Sequence, residues 1–232
     1  MVLAAGLGKR MLPLTETLPK PLIEIAGRTL LDRGLDMLAE AGVAQAVVNV
    51  HHLPDQIIAH VAARTAPVVI VSDERDLLLD SAGGIIRALP SLGDRPFYVL
   101  NADTFWIDED EANLRRLALA WDDAAMDILL MLARPEHATG HSGGGDFHLC
   151  ADGRLARARG EPGALIYAGA AVIAPGIFAG AGPEPQSLNT YFDRAIDQGR
   201  LFGMEMNGHW VTVGTPDAIA PAEAAVRARG GR

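Results

Sequence analysis

The sequence of 232 residues lacks the features that stabilise small secreted domains or hold proteins in membranes. Its single cysteine, Cys150, excludes a disulfide framework within the chain, so we expect a reducing, cytoplasmic environment. No apolar run approaches the roughly 20 residues of a membrane-spanning helix. No basic segment followed by an apolar one opens the chain. The sequence therefore predicts neither a membrane partner nor a secretory signal.

Positive charge is also scarce. The chain has 20 Lys and Arg residues against 29 Asp and Glu residues, which gives a formal net charge of −9. A surface of that sign repels a nucleic-acid backbone, so we expect no nucleic-acid partner. A small anion is not excluded, because a few local cations decide whether it binds. Lys9, Arg10 and Lys20 form such a local group in an otherwise acidic chain.

Hydrophobic residues make up 49% of the chain, which is enough for a well-filled core. In the first part of the chain, short apolar segments alternate with helical ones. The predicted strands are 1–4, 46–50, 68–71, 97–100 and 126–132, and the predicted helices are 30–41, 55–64, 81–89 and 110–121. Continuously apolar strands separated by helices are typical of a parallel sheet covered on both faces. The sequence therefore predicts an α/β fold with a doubly wound, mostly parallel sheet.

The pattern changes after residue 135. A glycine-rich stretch at 141–145 precedes two hairpin-type strands, predicted at 146–150 and 165–173, and two helices follow at 188–198 and 218–228. We find no internal repeat and no low-complexity linker between the two parts. We therefore predict one domain over 1–232, with a core at 1–135 and, at 136–232, a small mixed substrate-side lobe and closing helices.

The first predicted strand runs into the loop AAGLGKRMLPLTETLPKPL, which contains two glycines. Gly6 and Gly8 have no Cβ, so backbone N–H groups there can approach a phosphate closely. A dinucleotide-binding fingerprint would need a third glycine where Met11 stands, and a P-loop would need Ser or Thr where Arg10 stands. Neither pattern is met, which argues against a pyridine-nucleotide oxidoreductase.

The cations of this loop are arranged for an anionic ligand. Arg10 offers a planar fork for phosphate oxygens. Pro19 and Pro21 restrict the backbone on both sides of Lys20, so that its ammonium group is aimed. The alternative is an ordinary strand–turn–helix connection with solvated cations, which has no need of two prolines around one lysine. We interpret the loop as a triphosphate-binding segment.

The segment LAAGLGKRMLPLTETLPKPLIEIAG resembles the signature of nucleotidyltransferases that activate sugar 1-phosphates. The resemblance implies a Rossmann-like nucleotidyltransferase fold. It also implies a reaction in which the phosphate of a sugar 1-phosphate attacks the α-phosphorus of a nucleoside triphosphate and pyrophosphate leaves. Arg10 would hold the β- and γ-phosphates, and Lys20 would lie between the α-phosphate and the incoming phosphate. The nucleotide-binding residues implied by this signature are Leu3, Ala4, Ala5, Gly6, Gly8, Lys9 and Arg10.

Two further motifs support the resemblance. The stretch from Leu79 to Gly84 resembles the family's Glu-Thr-Gly-Gly-Gly segment, which closes around the base, so Ser81 and Gly83 would contact the nucleotide. The alternative is a helix start capped by Ser81, and both can hold. Asn49-Val50-His51-His52 also resembles the family, with structural packing as an equally weighted alternative.

Asn101-Ala102-Asp103 resembles the family's Asn-Gly-Asp motif. A carboxylate at the carboxyl end of a parallel strand faces the ligand crevice, so Asp103 is the predicted catalytic carboxylate and Mg²⁺ ligand. Asn101 would contact the sugar phosphate.

The stretch Gly145-Asp146-Phe147-His148-Leu149 is similar to the Gly-Asp-Phe-x-Leu element of N-acetylmuramic acid 1-phosphate uridylyltransferases. That resemblance implies UTP and N-acetylmuramic acid 1-phosphate as substrates, and a role in the recycling of peptidoglycan. Asp146 would hold the sugar, with Glu161 as a weaker candidate. The alternative is an ordinary Gly-Asp turn before a strand.

One position departs from the family. The stretch from His209 to Pro216 resembles the closing signature Trp-x-Asp-x-Gly-Thr-Pro, whose aspartate is the second carboxylate on the metal, but Thr212 stands there. A neighbouring carboxylate such as Asp217 could replace it. Two hypotheses stay open: a working enzyme whose Mg²⁺ depends on Asp103, phosphates and water, or a catalytically impaired nucleotide-sugar-binding or regulatory protein. We expect a monomer or a small homo-oligomer.

Overall fold

The computed structural model describes residues 1–230, which contain fourteen strands and six α-helices. The strands are β1 (Val2–Leu3), β2 (Glu24–Ile25), β3 (Arg28–Thr29), β4 (Gln45–Val50), β5 (Val68–Asp73), β6 (Phe97–Asn101), β7 (Thr104–Ile107), β8 (Ile128–Ala133), β9 (Ala138–Thr139), β10 (Phe147–Leu149), β11 (Leu155–Arg157), β12 (Ile166–Ile173), β13 (Leu201–Glu205) and β14 (His209–Thr212). The helices are α1 (Leu30–Glu40), α2 (Pro54–Val61), α3 (Asp80–Leu92), α4 (Asn113–Ala120), α5 (Leu188–Asp197) and α6 (Ile219–Ala228).

Seven strands form the central sheet, in the order β13-β8-β12-β6-β1-β4-β5. Every neighbouring pair is parallel except those of β12, which runs antiparallel to both β6 and β8. The predicted mostly parallel sheet is thus confirmed. Strands from both sides of residue 135 share it, since β8 precedes that residue whereas β12 and β13 follow it.

Helices cover both faces of the sheet, because apolar side chains on the strands alternate between two cores. In β4, Val48 and Val50 face the core that contains Leu35 of α1, whereas Val47 faces the core that contains Ile85 of α3. A third core joins α6 and the β7–β14 ladder to the N-terminal loop, where Met11 is fully buried. This third core fixes the loop against the rest of the molecule.

The part after residue 135 differs from the predicted hairpin. Strand β10 pairs antiparallel with β11, and β12 enters the central sheet instead. Phe147 and Leu165 form a single β-bridge, and beside it the Asp146 N–H donates to the Leu165 carbonyl and the Asp146 carboxylate accepts the Tyr167 N–H. The prediction was wrong here because the long apolar β12 buries more surface between β6 and β8 than against the short β10. A separate small sheet has the order β7-β14-β9.

Three helix boundaries lie three residues from the predicted ones, and the first is the end of α2, at Val61 rather than at residue 64. Helix α3 continues past Pro90 to Leu92, because a proline in the last turn removes a single N–H group from the ladder. Helix α4 begins at Asn113, whose N–H donates to the Asp108 carboxylate at 3.0 Å, rather than at residue 110. Within residues 1–230, none of the helices combines the length and the apolarity needed to cross a bilayer.

Candidate active site

A cavity of about 700 Å³ opens at the carboxyl ends of β1, β4 and β6. Strand β1 lies between β4, which follows it in the chain, and β6, which the chain reaches only after β5 at the far edge. Such a reversal of strand order leaves a crevice in which α/β proteins bind ligands. The lining residues are Leu3, Ala4, Ala5, Gly6, Gly8, Lys9, Arg10, Lys20, Pro21, Asn49, Leu78, Asp80, Ser81, Asn101, Ala102, Asp103, Pro185 and Gly214.

Gly8 shapes the loop that forms one wall of this cavity. Its backbone adopts φ +62°, and a Cβ there would lie 2.8 Å from Cγ2 of Thr15. Its carbonyl accepts hydrogen bonds from the Thr15 hydroxyl at 2.9 Å and from the Met11 N–H at 2.8 Å. Only glycine fits both this left-handed conformation and this close approach. The loop therefore has a defined shape.

The cations gather at the same wall. The chain has two lysines, Lys9 and Lys20, and both line the cavity together with Arg10. The ammonium of Lys20 donates to Oδ2 of Asp103 at 2.6 Å, and the side chains are 12% and 31% exposed. The guanidinium of Arg10 lies against Gly214, where a Cβ would be 3.6 Å from Nη1. Three predicted catalytic side chains thus line one cavity.

The donor set limits what kind of metal site could form here. In the described part of the chain, no three His, Cys, Asp or Glu side chains are placed to hold a metal ion together. Mg²⁺ needs fewer, since it binds through one or two carboxylates and is completed by substrate phosphates and water. Asp103, at the carboxyl end of β6, fits such a single-carboxylate site.

Thr212 and Asp217 do not line the cavity. Thr212 nevertheless lies beside Asp103, because it pairs with Thr104 in the β7–β14 ladder and the N–H of Val213 donates to the Asp103 carbonyl at 3.0 Å. Asp217 is exposed in a short 3₁₀ turn that leads into α6. Of these two residues, Thr212 is the one whose strand pairs beside Asp103.

Ser81 and Gly83 have different surroundings at the start of α3. Ser81 lines the cavity, and its hydroxyl accepts a hydrogen bond from the Leu188 N–H at 2.8 Å. Gly83 is buried, and a Cβ there would lie 2.2 Å from the Glu184 carbonyl oxygen. The small residue lets the segment 182–187 pack on α3, and that segment supplies Pro185 to the cavity wall. Nothing in the sequence pattern pointed to Pro185.

The predicted sugar-side residues are also divided. Asn101, the last residue of β6, lines the cavity. Asp146 lies outside the lining residues, and its carboxylate accepts the Tyr167 N–H at 2.8 Å. Glu161 lies in an exposed loop, where it accepts the Arg159 N–H at 2.6 Å and lies 3.5 Å from His148. The contact with the Arg159 N–H lowers the pKa of Glu161. The sugar-binding roles of Asp146 and Glu161 remain predictions.

The stretch from Asn49 to His52 makes buried polar contacts around the cavity. Asn49 is 2% exposed, and its side chain joins the Ala4 N–H to the carboxyl group of Glu74. Nδ1 of His51 lies 2.7 Å from the Glu74 carbonyl, and Nε2 of His52 lies 2.8 Å from the Thr15 carbonyl. Each histidine thus has a backbone partner within the fold, as the packing alternative expects. No motif in the sequence identified Glu74 as a residue near the site.

Comparison with known proteins adds to this geometry. The family model described as the MobA-like NTP transferase domain matches residues 1–230. The chain is 43% identical over 229 residues to the N-acetylmuramate alpha-1-phosphate uridylyltransferase of Caulobacter vibrioides, covering 97% of this chain and 95% of that protein. It is 33% identical over 228 residues to the protein of that description from Neisseria meningitidis serogroup B, covering 97% and 96%.

Solved structures agree on the fold. HddC from Yersinia pseudotuberculosis, complexed with GMP-PN, superposes with a TM-score of 0.77 at 20% identity and covers 96% of each chain. The inositol-1-phosphate CTP transferase from T. maritima gives a TM-score of 0.73 at 18% identity, covering 100% of this chain and 96% of that one. At these identities the likeness concerns the arrangement of helices and strands.

Proposed function

The chain belongs to the MobA-like NTP transferase family, and from that premise we propose that it transfers a uridylyl group from UTP to N-acetylmuramate α-1-phosphate. An oxygen of the sugar phosphate attacks the α-phosphorus of UTP, the bond to the β-phosphate oxygen breaks, and pyrophosphate leaves. The observation that carries the proposal is the Lys20–Asp103 pair facing the glycine loop, in a chain 43% identical to such a uridylyltransferase.

The loop residues bind and orient the triphosphate in this proposal. Backbone N–H groups around Gly6 and Gly8 approach the phosphates, since no Cβ blocks them. The Arg10 guanidinium pairs with the β- and γ-phosphate oxygens. No covalent enzyme intermediate is required, so the protein contributes in-line positioning and charge neutralisation.

Lys20 and Asp103 would act at the reacting phosphates. The Lys20 ammonium, aimed by Pro19 and Pro21, lies between the α-phosphate and the incoming phosphate and neutralises the charge that builds up there. Asp103 would hold Mg²⁺, with nucleotide phosphates and water completing its ligands. When bound, Mg²⁺ supplies Lewis-acid stabilisation of the phosphoryl oxygens. Thr212 at the second ligand position leaves Asp103 as the main anionic protein ligand.

The binding-only alternative is not favoured by the relatives, which are described as transferases. Thr212 was its main argument, and a single carboxylate is enough for a substrate-completed Mg²⁺ site. We further propose that the protein works in the cytoplasm, in the reuse of cell-wall sugars, as a monomer or small homo-oligomer.

A substrate panel tests the proposal. Pyrophosphate release would be measured with UTP, CTP, GTP, ATP and dTTP, each paired with the 1-phosphates of N-acetylmuramate, N-acetylglucosamine, glucose and mannose. We expect the highest kcat/KM for UTP with N-acetylmuramate α-1-phosphate, and loss of release with excess EDTA. A preference for another pair would refute the assigned substrates. Triphosphate binding without release from any pair would restore the binding-only alternative.

A further inference from the structure

Glu74 is an acidic residue that is buried in the interior of the protein. It follows directly on the carboxyl end of β5 and has 0% of its surface exposed. Carboxyl groups are almost never fully buried without partners, because removal from water costs several kcal/mol. The hydrogen-bond partners of the buried Glu74 carboxyl group therefore indicate its role.

The carboxyl group of Glu74 reaches the glycine loop through one intermediate. Its Oε1 accepts a hydrogen bond from Nδ2 of Asn49 at 2.9 Å. Oδ1 of Asn49 in turn accepts the N–H of Ala4 at 2.8 Å. Ala4 is the first residue after β1 and lines the cavity, immediately before Ala5 and Gly6. Two hydrogen bonds therefore connect a buried carboxyl group to the residue where the nucleotide-binding loop begins.

The surrounding packing holds this connection in one geometry. A Cβ on Gly84 of α3 would lie 2.7 Å from Nδ2 of Asn49 and 2.8 Å from Oε1 of Glu74. The Glu74 backbone is held at both ends, since its N–H donates to the Val50 carbonyl at 2.8 Å and its own carbonyl lies 2.7 Å from Nδ1 of His51. The hydrogen-bonded pair of Asn49 and Glu74 thus packs against α3 at a position where only glycine leaves room for it.

The hydrogen bond from Asn49 uses only one of the two carboxyl oxygens of Glu74. The second carboxyl oxygen, Oε2, has no hydrogen-bond partner among residues 1–230. Burial raises the pKa of the Glu74 carboxyl group and outweighs the Asn49 amide, Arg87 and the Leu79 N–H, which lower it. A glutamine could therefore provide the same acceptor at the same reach, whereas the shorter aspartate could not.

We propose that Glu74 is a positioning residue for nucleotide binding, which acts through Asn49 to fix the Ala4 amide and hence the start of the glycine loop. The proposal rests on the proposed function for the identity of the nucleotide. It assigns Glu74 no contact with the substrate and no part in proton transfer. A residue that only stabilised the fold would lower the melting temperature without changing the affinity of folded protein for UTP.

The test compares Glu74→Gln, Glu74→Asp and Glu74→Ala. UTP affinity would be measured by calorimetry, independently of turnover, together with KM for both substrates and the melting temperature. We expect Glu74→Asp and Glu74→Ala to weaken UTP binding by about tenfold, with KM for the sugar phosphate changed less than twofold. Glu74→Gln should restore UTP affinity to within about twofold of wild type. Asp55→Ala removes an exposed carboxylate that pairs with Arg75; it is the control and should change neither UTP affinity nor KM for either substrate.

Each result decides between the roles. A Glu74→Gln variant as impaired as Glu74→Ala would overturn the proposal, because charge rather than acceptor geometry would then matter. Lower melting temperatures with unchanged UTP affinity in Glu74→Asp would also overturn it and leave a structural role. If Glu74→Ala fails to fold, the Gln and Asp variants still carry the comparison. Normal UTP binding by a wild type that releases no pyrophosphate would count against the proposed function alone.

A double-mutant cycle tests the route through Asn49. If Glu74 acts only through that side chain, Asn49→Ala and Glu74→Ala together should weaken UTP binding no more than Asn49→Ala alone. If the losses of UTP affinity from Asn49→Ala and Glu74→Ala instead multiply in the double variant, Glu74 acts independently of Asn49. That result would contradict the proposed connection.

Discussion

The two ends of the proposed site are built differently. At the triphosphate end, side chains from distant parts of the chain converge on one cavity, and Lys20 contacts Asp103 across 83 positions of sequence. At the sugar end, the carboxylates of Asp146 and Glu161 hydrogen-bond to nearby backbone N–H groups and lie outside the cavity lining. The first end lines a cavity at the edge of the central sheet, whereas the second belongs to exposed connections.

This difference matches the chemistry that each end must recognise. A triphosphate presents the same charges to any nucleotidyltransferase, so fixed cations and backbone groups on rigid elements suit it. A sugar is recognised by its individual substituents, and loops on a rigid scaffold provide that variation. We therefore expect substitutions at the triphosphate end to lower kcat strongly, and substitutions at the sugar end to change KM modestly.

The largest effect is expected at Asp103. Asp103→Asn should abolish Mg²⁺-dependent turnover, because a neutral amide replaces the one cavity carboxylate predicted to bind the ion. Pyrophosphate release would be measured over a range of Mg²⁺ concentrations, with the melting temperature as a check on folding. Turnover close to wild type would mean that the metal is held elsewhere, and the contrast between the two ends would lose its basis.

The second-largest effect on activity is expected for Lys20→Ala. Loss of a cation that stabilises the reacting phosphates typically costs on the order of 10²–10³ in rate. The fold should survive, because Lys20 lies in a short turn at the cavity wall. Lys9→Ala is the matched control: it removes the other lysine of the same wall, and we expect it to raise KM for UTP with a smaller change in kcat. A near-normal kcat for Lys20→Ala would show that Lys20 does not stabilise the reacting phosphates.

Thr212→Asp sharpens the comparison at the predicted metal site beside Asp103. A new carboxylate beside Asp103 should lower the Mg²⁺ concentration needed for half-maximal activity several-fold, since Mg²⁺ prefers charged oxygen ligands. Thr212→Val, which removes the hydroxyl at similar volume, should leave that concentration nearly unchanged. If wild type already saturates at lower Mg²⁺ than Thr212→Asp does, the new charge repels its neighbours and our interpretation of the site is wrong.

The smallest effect is expected at Asp146. Asp146→Ala should raise KM for the sugar phosphate several-fold, because loop contacts contribute modest binding energy, and should leave KM for UTP unchanged. Asp146→Asn separates two explanations, because its side-chain oxygen can still accept the Tyr167 N–H. If Asp146→Asn has the wild-type KM for the sugar phosphate, Asp146 acts by holding the Tyr167 backbone in position. Equal changes in KM for both substrates would contradict any sugar-side role.

Much of the fold followed from local patterns. The alternation of apolar strands and amphipathic helices predicted the mostly parallel sheet, because hydrophobic period and strand length are local properties. The short strands β3, β7, β9, β11 and β14, the five-residue edge strand β13 and the place of β12 in the central sheet were missed. Strands of two to four residues give little periodic signal, and the partner of an apolar strand depends on which segments the topology brings beside it.

The site divides in the same way. Gly8, the prolines around Lys20 and the aspartate after β6 could be identified from sequence, because each depends on local backbone conformation or on the end of a strand. The burial of Glu74, the wall formed by Pro185 and the packing role of Gly83 were decided only by tertiary structure. Glu74 contacts Asn49 across 25 positions of sequence, and Gly83 contacts Glu184 across 101. Local chemistry determined which groups could bind phosphate, and long-range packing determined which of them meet in one cavity.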